Sequence, residues 1–297
     1  MIFSGVFAAL TTPYASDGSV SLPDLKHNIQ QYNQTDLAGY VAVGSTGESV
    51  LLTRSEMDGI LITVKEAAKG KRLLAGTGAE STAETIERTK RAAELGYDAA
   101  LVKTPYYYKT AYKPDVLLAH YRRVADESPI PVMLYSIPQF TGIALTAAEV
   151  AALAEHHNII GIKDSSGNVQ GVAETIAATP PKFQVLVGSA GSVYPSLAIG
   201  ARGAILALAC ALPEKCVALF ELFQQGHHEK ARELQAILVR ASKLIVSELS
   251  IAGVKYAMDQ RGYRGGIPRL PLQPLNDERK RRVSDLLGEL EPATARA

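Results

Sequence analysis

The sequence predicts a (β/α)8 barrel followed by a C-terminal helical extension. Three observations carry this expectation. Eight short apolar runs recur about 20–35 residues apart, each followed by a stretch of helical pattern. The connections between them are short, with no low-complexity linker and no charge block. The first run leads into Thr11-Thr12-Pro13-Tyr14, not into the Gly-rich turn that would mark an open, doubly wound dinucleotide-binding sheet.

In order, the strand candidates are Gly5–Thr12, Gly39–Gly44, Arg72–Gly76, Ala99–Thr104, Pro131–Ser136, Ile159–Lys163, Phe183–Gly188 and Gly203–Ala209. Each is short, apolar and bounded by turn residues. Ser21-Leu22-Pro23-Asp24 opens the first helix with a capping hydroxyl and an early proline. Thr53-Arg54-Ser55-Glu56 has the capping-box pattern, and Ile60, Val64 and Ala67 follow on one side at helical spacing. A third helix begins at Ser81/Thr82, runs to Leu95 and is closed by Gly96. Thr146–His156, Gln170–Ala178 and Gly191–Ile199 continue the alternation. Beyond Pro213 the pattern is mainly helical: Glu214–Gln225, His228–Glu248, Ile251–Arg261 and Asp277–Glu289. The barrel is expected over 1–226 and the extension over 227–297.

At 297 residues, 47% hydrophobic and 21% charged, the chain can bury a large core. Its net charge of +1 gives no electrostatic case for a nucleic-acid partner. Cys210 and Cys216 flank Ala211-Leu212-Pro213 without CxxC spacing, so buried structural thiols are expected rather than a disulfide or metal site. No basic region precedes the apolar start, so no signal peptide is expected. The longest apolar run, Ala204 to Leu212, is about half of what a membrane span needs. The expectation is a cytoplasmic protein without a membrane partner.

Barrels of this kind place their chemistry at the C-terminal strand ends. Here those ends carry Gly44-Ser45-Thr46-Gly47-Glu48-Ser49, Thr104-Pro105-Tyr106-Tyr107-Tyr108, Tyr135-Ser136-Ile137-Pro138, Lys163-Asp164-Ser165 and Gly188-Ser189-Ala190-Gly191. The Gly44–Ser49 turn lacks the Gly-Lys-Ser/Thr ending of a phosphate loop. Its backbone N–H groups and the Ser45 and Thr46 hydroxyls suit a small carboxylate. Strand six ends in a lysine, and strict alternation sets Ile159, Gly161 and Lys163 on one face, with Gly161 clearing space beside the lysine stem. Taken alone, a strand-end lysine is most often a solvated charge. In an apolar barrel, burial disfavours the charged form, and a neutral amine attacks ketones to form a Schiff base. Tyr135, one strand away and facing inward with Met133, suits the proton transfers. The pairs His156-His157 and His227-His228 lack the i,i+4 spacing of helical ligand pairs and lie away from the strand ends, so no metal is expected.

Gly44–Ser49, Thr104-Pro105-Tyr106-Tyr107, Leu134–Pro138 and Gly161-Ile162-Lys163-Asp164 together resemble the dihydrodipicolinate synthase / N-acetylneuraminate lyase family, in order and over nearly the whole chain. The resemblance implies lysine-dependent (class I) aldolase chemistry on pyruvate or a 2-oxo acid without a cofactor, in a homotetramer built as a dimer of dimers. It implies that Lys163 forms the Schiff base and that Tyr135 is the general acid/base. Ser45 and Tyr107 would complete a proton relay, Tyr107 from a neighbouring subunit. Thr46 and the Ile205 backbone would bind the pyruvate carboxylate. The family usually has Thr at the Ser45 position; serine keeps the hydroxyl.

Dihydrodipicolinate synthases carry an arginine for the aldehyde's carboxylate where this sequence has Phe140, and a phenyl ring removes that bidentate donor. Ser128–Ser136, Phe183–Gly191, Met258-Asp259 and Gly262-Tyr263 are similar to 4-hydroxy-2-oxoglutarate aldolases, which would also place Ser165 at the site. The expected reaction is therefore cleavage of 4-hydroxy-2-oxoglutarate to pyruvate and glyoxylate. The alternatives are dihydrodipicolinate synthase itself, a sugar-acid lyase or dehydratase on the same scaffold, and a non-catalytic binding barrel. The set Lys163, Tyr135, Tyr107 and Ser45 speaks against the last.

Overall fold

The computed structural model describes residues 2–290. Eight parallel strands close into a barrel: β1 (Gly5–Ala9), β2 (Gly39–Ala42), β3 (Arg72–Gly76), β4 (Ala99–Lys103), β5 (Val132–Ser136), β6 (Ile159–Asp164), β7 (Gln184–Val187) and β8 (Gly203–Leu206). Each pairs with the next, and β8 pairs with β1. All eight expected strands form. Several stop short at the C-terminal end. β2 ends because Val43 turns into the left-handed region at φ 56°, and β8 ends before a 3-10 turn at Leu208–Cys210. The residues lost from the strands are the ones that build the mouth.

Helices α1 (Leu22–Tyr32), α2 (Arg54–Ala67), α3 (Thr82–Glu94) and α4 (Pro114–Glu127) follow the first four strands. The expected caps form: Ser21 accepts from the Asp24 N–H, and Thr53 and Glu56 make a full capping box. Ile60, Val64 and Ala67 are all buried. Gly96 takes φ 74° just past α3. A one-turn helix absent from the sequence reading, α5 (Pro138–Thr141), opens on Pro138 and ends at Gly142 in the left-handed region. Then come α6 (Ala147–Ala154), α7 (Val169–Ala178), α8 (Val193–Ala198) and α9 (Pro213–Gln224). The later helices are α10 (His228–Ala241), α11 (Ser250–Gln260) and α12 (Asp277–Leu290). The expected helix over His228–Glu248 is α-helical only to Ala241; Ser242–Glu248 is a π-helix, a form that concentrates at functional sites. No described helix is long and apolar enough to cross a membrane.

Two apolar layers result from the alternation of side chains along each strand. Phe3, Phe7, Val41, Leu74, Met133 and Leu186 fill the barrel. A larger cluster, including Val6, Tyr40, Val102, Leu134 and Val185, packs between the strands and the helices. The alternation expected for strand six fails at its start. Val132 pairs with Ile159 but Met133 pairs with Gly161, so Ile160 is an extra residue. Ile159 therefore joins the outer layer and Ile160 packs against the inner one, the reverse of expectation. From Gly161 onward the pattern holds, and Lys163 points inward.

A buried ion pair ties the C-terminal segment to the mouth. Lys255 Nζ on α11 lies 2.6 Å from Glu48 Oε1, with side chains 1% and 0% exposed. The Arg269 N–H donates to Glu48 Oε2 at 2.8 Å, and Lys255 donates to the Ile267 carbonyl at 2.7 Å. Burial pushes the Lys255 amine below its ordinary pKa, and the Glu48 charge opposes that shift. Breaking such a pair strands a charge in the interior, so Lys255→Met should cost about 3–5 kcal/mol in urea denaturation. Adding Glu48→Gln should restore most of it; a loss of under about 1 kcal/mol for the single variant would show that the pair holds nothing.

Candidate active site

The register between β5 and β6 sets Tyr135 opposite Lys163, and Lys163 Nζ stands 4.3 Å from the centre of the Tyr135 ring. Both side chains are buried. Among the described residues, no hydrogen bond or ion pair to a protein group engages the Lys163 amine. Two other lysines are buried or nearly so, and both face carboxylates: Lys255 faces Glu48, and Lys103 faces Glu80 at 3.5 Å. All three lie over tyrosine rings, and of the three Lys163 is the amine without a carboxylate opposite it.

Lys163 and Tyr135 open into a cavity of about 200 Å³ that Ser45, Thr46, Ser165 and Phe140 also line. A larger cavity, about 880 Å³, lies between α3 and α4 near His120 and shares no lining residue with this one. The loop carrying Ser45 and Thr46 is a tight turn, with the Gly47 N–H donating to the Gly44 carbonyl and Glu48 N–H to Ser45. Val43 and Glu48, on either side, hold positive φ, a strained state for non-glycine residues that surrounding structure must enforce. The Glu48–Lys255 pair and the Thr12 hydroxyl, which donates to the Gly47 carbonyl at 2.7 Å, supply that enforcement.

The glycine that makes room for Lys163 is not the expected one. A Cβ on Gly161 would run into the Gln184 carbonyl, so Gly161 admits the β7 backbone. A Cβ on Gly188 would fall on Ser165 Oγ and lie 3.0 Å from Lys163 Cε. Ser165 is fixed on its other side, where Gln139 Nε2 donates to its carbonyl.

The remaining expected residues are placed differently. Ile205 lies in the inner barrel cluster and does not line the cavity; Ala207, two residues on, does. Tyr107 is 73% exposed, stacks edge-on against Tyr108 and lines no part of its own chain's cavity. Its backbone is fixed, because Glu80 accepts from both the Tyr106 and Tyr107 N–H groups at 3.0 and 2.9 Å. Ser242, Val246, Ser247 and Ser250 also line the cavity and were missed from sequence. Ser242 and Ser247 are five residues apart, which separates them on an α-helix and aligns them on a π-helix.

Cys210 and Cys216 are buried free thiols. Cys210 donates to the Ala9 carbonyl at 3.0 Å, and burial pushes its thiol up to about 12. His156 bonds Asp126, and His228 packs on Phe223 and Tyr194. Among the described residues, no group of three or more His, Cys, Asp or Glu side chains could hold a metal.

A buried, unpaired lysine amine beside a tyrosine at the strand ends of a (β/α)8 barrel is the arrangement a class I aldolase, a lyase, requires, and the chain's family match assigns it to that class. The chain matches the dihydrodipicolinate synthetase family over residues 2–290 and belongs to it. A 4-hydroxy-tetrahydrodipicolinate synthase from an Exiguobacterium species is 38% identical over 276 residues, 93% of this chain and 94% of that one. The enzyme of that name from Methanothrix thermoacetophila is 36% identical, with 99% of each chain covered. Among solved structures, dihydrodipicolinate synthase DapA-2 of Bacillus anthracis superposes with a TM-score of 0.94 at 29% identity, covering 98% of this chain and all of that one. YagE of E. coli K12, a family member solved with pyruvate, gives 0.92 at 29%, covering 98% and 99%.

Gly188→Ala should leave the barrel folded but displace Ser165 and Lys163. Turnover should fall at least about tenfold, with the melting temperature changed by only a few degrees. Unchanged turnover would show that the Lys163 stem has room to spare.

Proposed function

We propose that this enzyme joins pyruvate to an aldehyde, or reverses that reaction, through a Schiff base on Lys163. The observation that carries the reading is the buried, unpaired Lys163 amine over the Tyr135 ring, in a cavity of about 200 Å³ lined by the Ser45 and Thr46 hydroxyls. The amine adds to the C2 ketone and water leaves, giving a protonated imine. Loss of a C3 proton forms the enamine, which attacks the aldehyde carbon. In the cleavage direction, the C4 hydroxyl loses its proton, the C3–C4 bond breaks, the imine takes the electron pair as an enamine, and C3 of that enamine is then protonated. Tyr135 handles these protons, and water finally releases the keto acid. Thr46 and Ser165 hold the pyruvyl carboxylate and the imine region.

Tyr107 serves a neighbouring subunit in this reading, within a tetramer built as a dimer of dimers. Its exposure and its fixed backbone support a role outside its own cavity. Solved relatives that contain pyruvate support pyruvate as the shared substrate.

For the second substrate, the named relatives support aspartate semialdehyde, the reaction of 4-hydroxy-tetrahydrodipicolinate synthase, better than the 4-hydroxy-2-oxoglutarate cleavage expected from sequence. One observation favours the cleavage: Phe140 lines the cavity where the synthase resemblance implies an arginine.

Two assays on one preparation decide between them: condensation of pyruvate with aspartate semialdehyde, and pyruvate release from 4-hydroxy-2-oxoglutarate. The faster reaction identifies the acceptor. Lys163→Ala should abolish both with the fold retained, and Tyr135→Phe should lower both by about 10²-fold or more. Either activity persisting in Lys163→Ala would overturn the assignment of the nucleophile.

A further inference from the structure

A second cationic side chain looks into the mouth. Ala99 and Leu101 of β4 face the barrel interior, so alternation sends Lys103 inward as well, at the C-terminal end of the strand. Register pairs Lys103 with Tyr135, just as it pairs Tyr135 with Lys163. The two lysines therefore flank the tyrosine from either side, with backbones two strand spacings, roughly 10 Å, apart.

Lys103 lines a cavity of about 270 Å³. That cavity abuts the Lys163 cavity, because Ser45, Ile137, Phe140, Ser250 and Ile251 line both. Among the residues lining the two, Lys103 is the one basic side chain besides Lys163. The surroundings are shaped for it. A Cβ on Gly78 would lie 2.6 Å from the Lys103 backbone nitrogen and 2.8 Å from its Cγ, so a glycine is needed where the two backbones pass. Tyr106 lies beneath the ammonium at 4.6 Å.

The charge of Lys103 is only partly answered. Its side chain is 12% exposed, and its one carboxylate neighbour, Glu80 Oε1, is 3.5 Å away, longer than a tight charge-assisted bond. The other Glu80 oxygen is occupied by the Tyr106 and Tyr107 N–H groups. An ammonium has three donors. Burial pushes the Lys103 amine below its ordinary pKa, the condition that a second anion would relieve.

We propose that Lys103 is the specificity-determining cation of the acceptor subsite: it receives the carboxylate of the aldehyde that joins the pyruvyl group on Lys163. This rests on the Schiff-base reading above. It assigns the acceptor to the carboxylate-bearing aldehydes, a class that includes both aspartate semialdehyde and glyoxylate. It also explains how Phe140 can line the site without loss of anion recognition.

The test measures condensation with pyruvate for the full-length enzyme, using aspartate semialdehyde and glyoxylate as charged acceptors and propanal as a neutral one. Lys103→Met should raise KM for the charged acceptor that the enzyme uses by roughly tenfold or more, the scale of a lost charge-assisted contact. KM for pyruvate and turnover of propanal should stay within about twofold of wild type, and Lys103→Arg should recover most of the loss. An equal loss on charged and neutral acceptors would overturn the proposal and leave Lys103 as an anchor for Glu80 and the tyrosine loop. No loss at all, or a wild-type preference for propanal, would overturn it too. Failure of wild-type enzyme to form a borohydride-reducible adduct with pyruvate would instead sink the underlying Schiff-base reading.

Discussion

The chemistry at the barrel mouth depends on the register between β5 and β6. One extra residue, Ile160, shifts the pairing so that Tyr135 stands opposite Lys163. Side chains alternate with a period of two, so a slip of one residue would turn Lys163 to the outer layer and bring Ile162 or Asp164 into the cavity. Bulges at barrel rims re-aim side chains in this way. The bulge lies at the base of the strand, three residues from Lys163, where its effect is read out.

The second support comes from outside the barrel. The Ser45–Thr46 loop sits between two strained residues, Val43 and Glu48, and relaxes unless something holds it. Lys255 and the Arg269 backbone hold it through Glu48. The helices beyond α9 therefore do more than cover the barrel: α11 anchors the hydroxyl loop, and the π-helix before it contributes serines to the cavity wall. A buried ion pair is a weak source of net stability but a strong geometric constraint once formed. Here it fixes a loop whose Ser45 and Thr46 line the Lys163 cavity.

Much of the fold was legible in the sequence. Apolar runs with β-branched residues gave eight strands, and Ser21, Thr53 and Ser81 gave helix starts, because both signals are local. That Lys163, Tyr135, Ser45 and Thr46 would share one cavity was legible because barrel topology brings strand ends together whatever lies between them. What stayed hidden needed non-local geometry. The Ile160 bulge reflects pairing with β5, not the pattern within β6. The roles of Gly161 and Gly188 were confused because only the packed structure shows whose atoms fill the missing Cβ. Ser242, Ser247 and Ser250 escaped because a π-helix changes which residues share a face. Lys103 lies inside the fourth apolar run, just before the Thr104–Tyr108 stretch, and its neighbours Glu80 and Gly78 come from another loop, which no local pattern reveals.

Three lysines are buried or nearly so at or near this mouth: Lys163 beside a tyrosine, Lys255 against Glu48 and Lys103 facing Glu80. Of the three, Lys163 alone lacks a carboxylate partner, which is why the proposed nucleophile is Lys163. Incubation with pyruvate, borohydride reduction and peptide mapping test this most directly. One reduced pyruvyl group on the peptide carrying Lys163, and none on those carrying Lys103 or Lys255, is the predicted result. An adduct on Lys103 or Lys255 in place of Lys163, or no adduct on any of them, would contradict it.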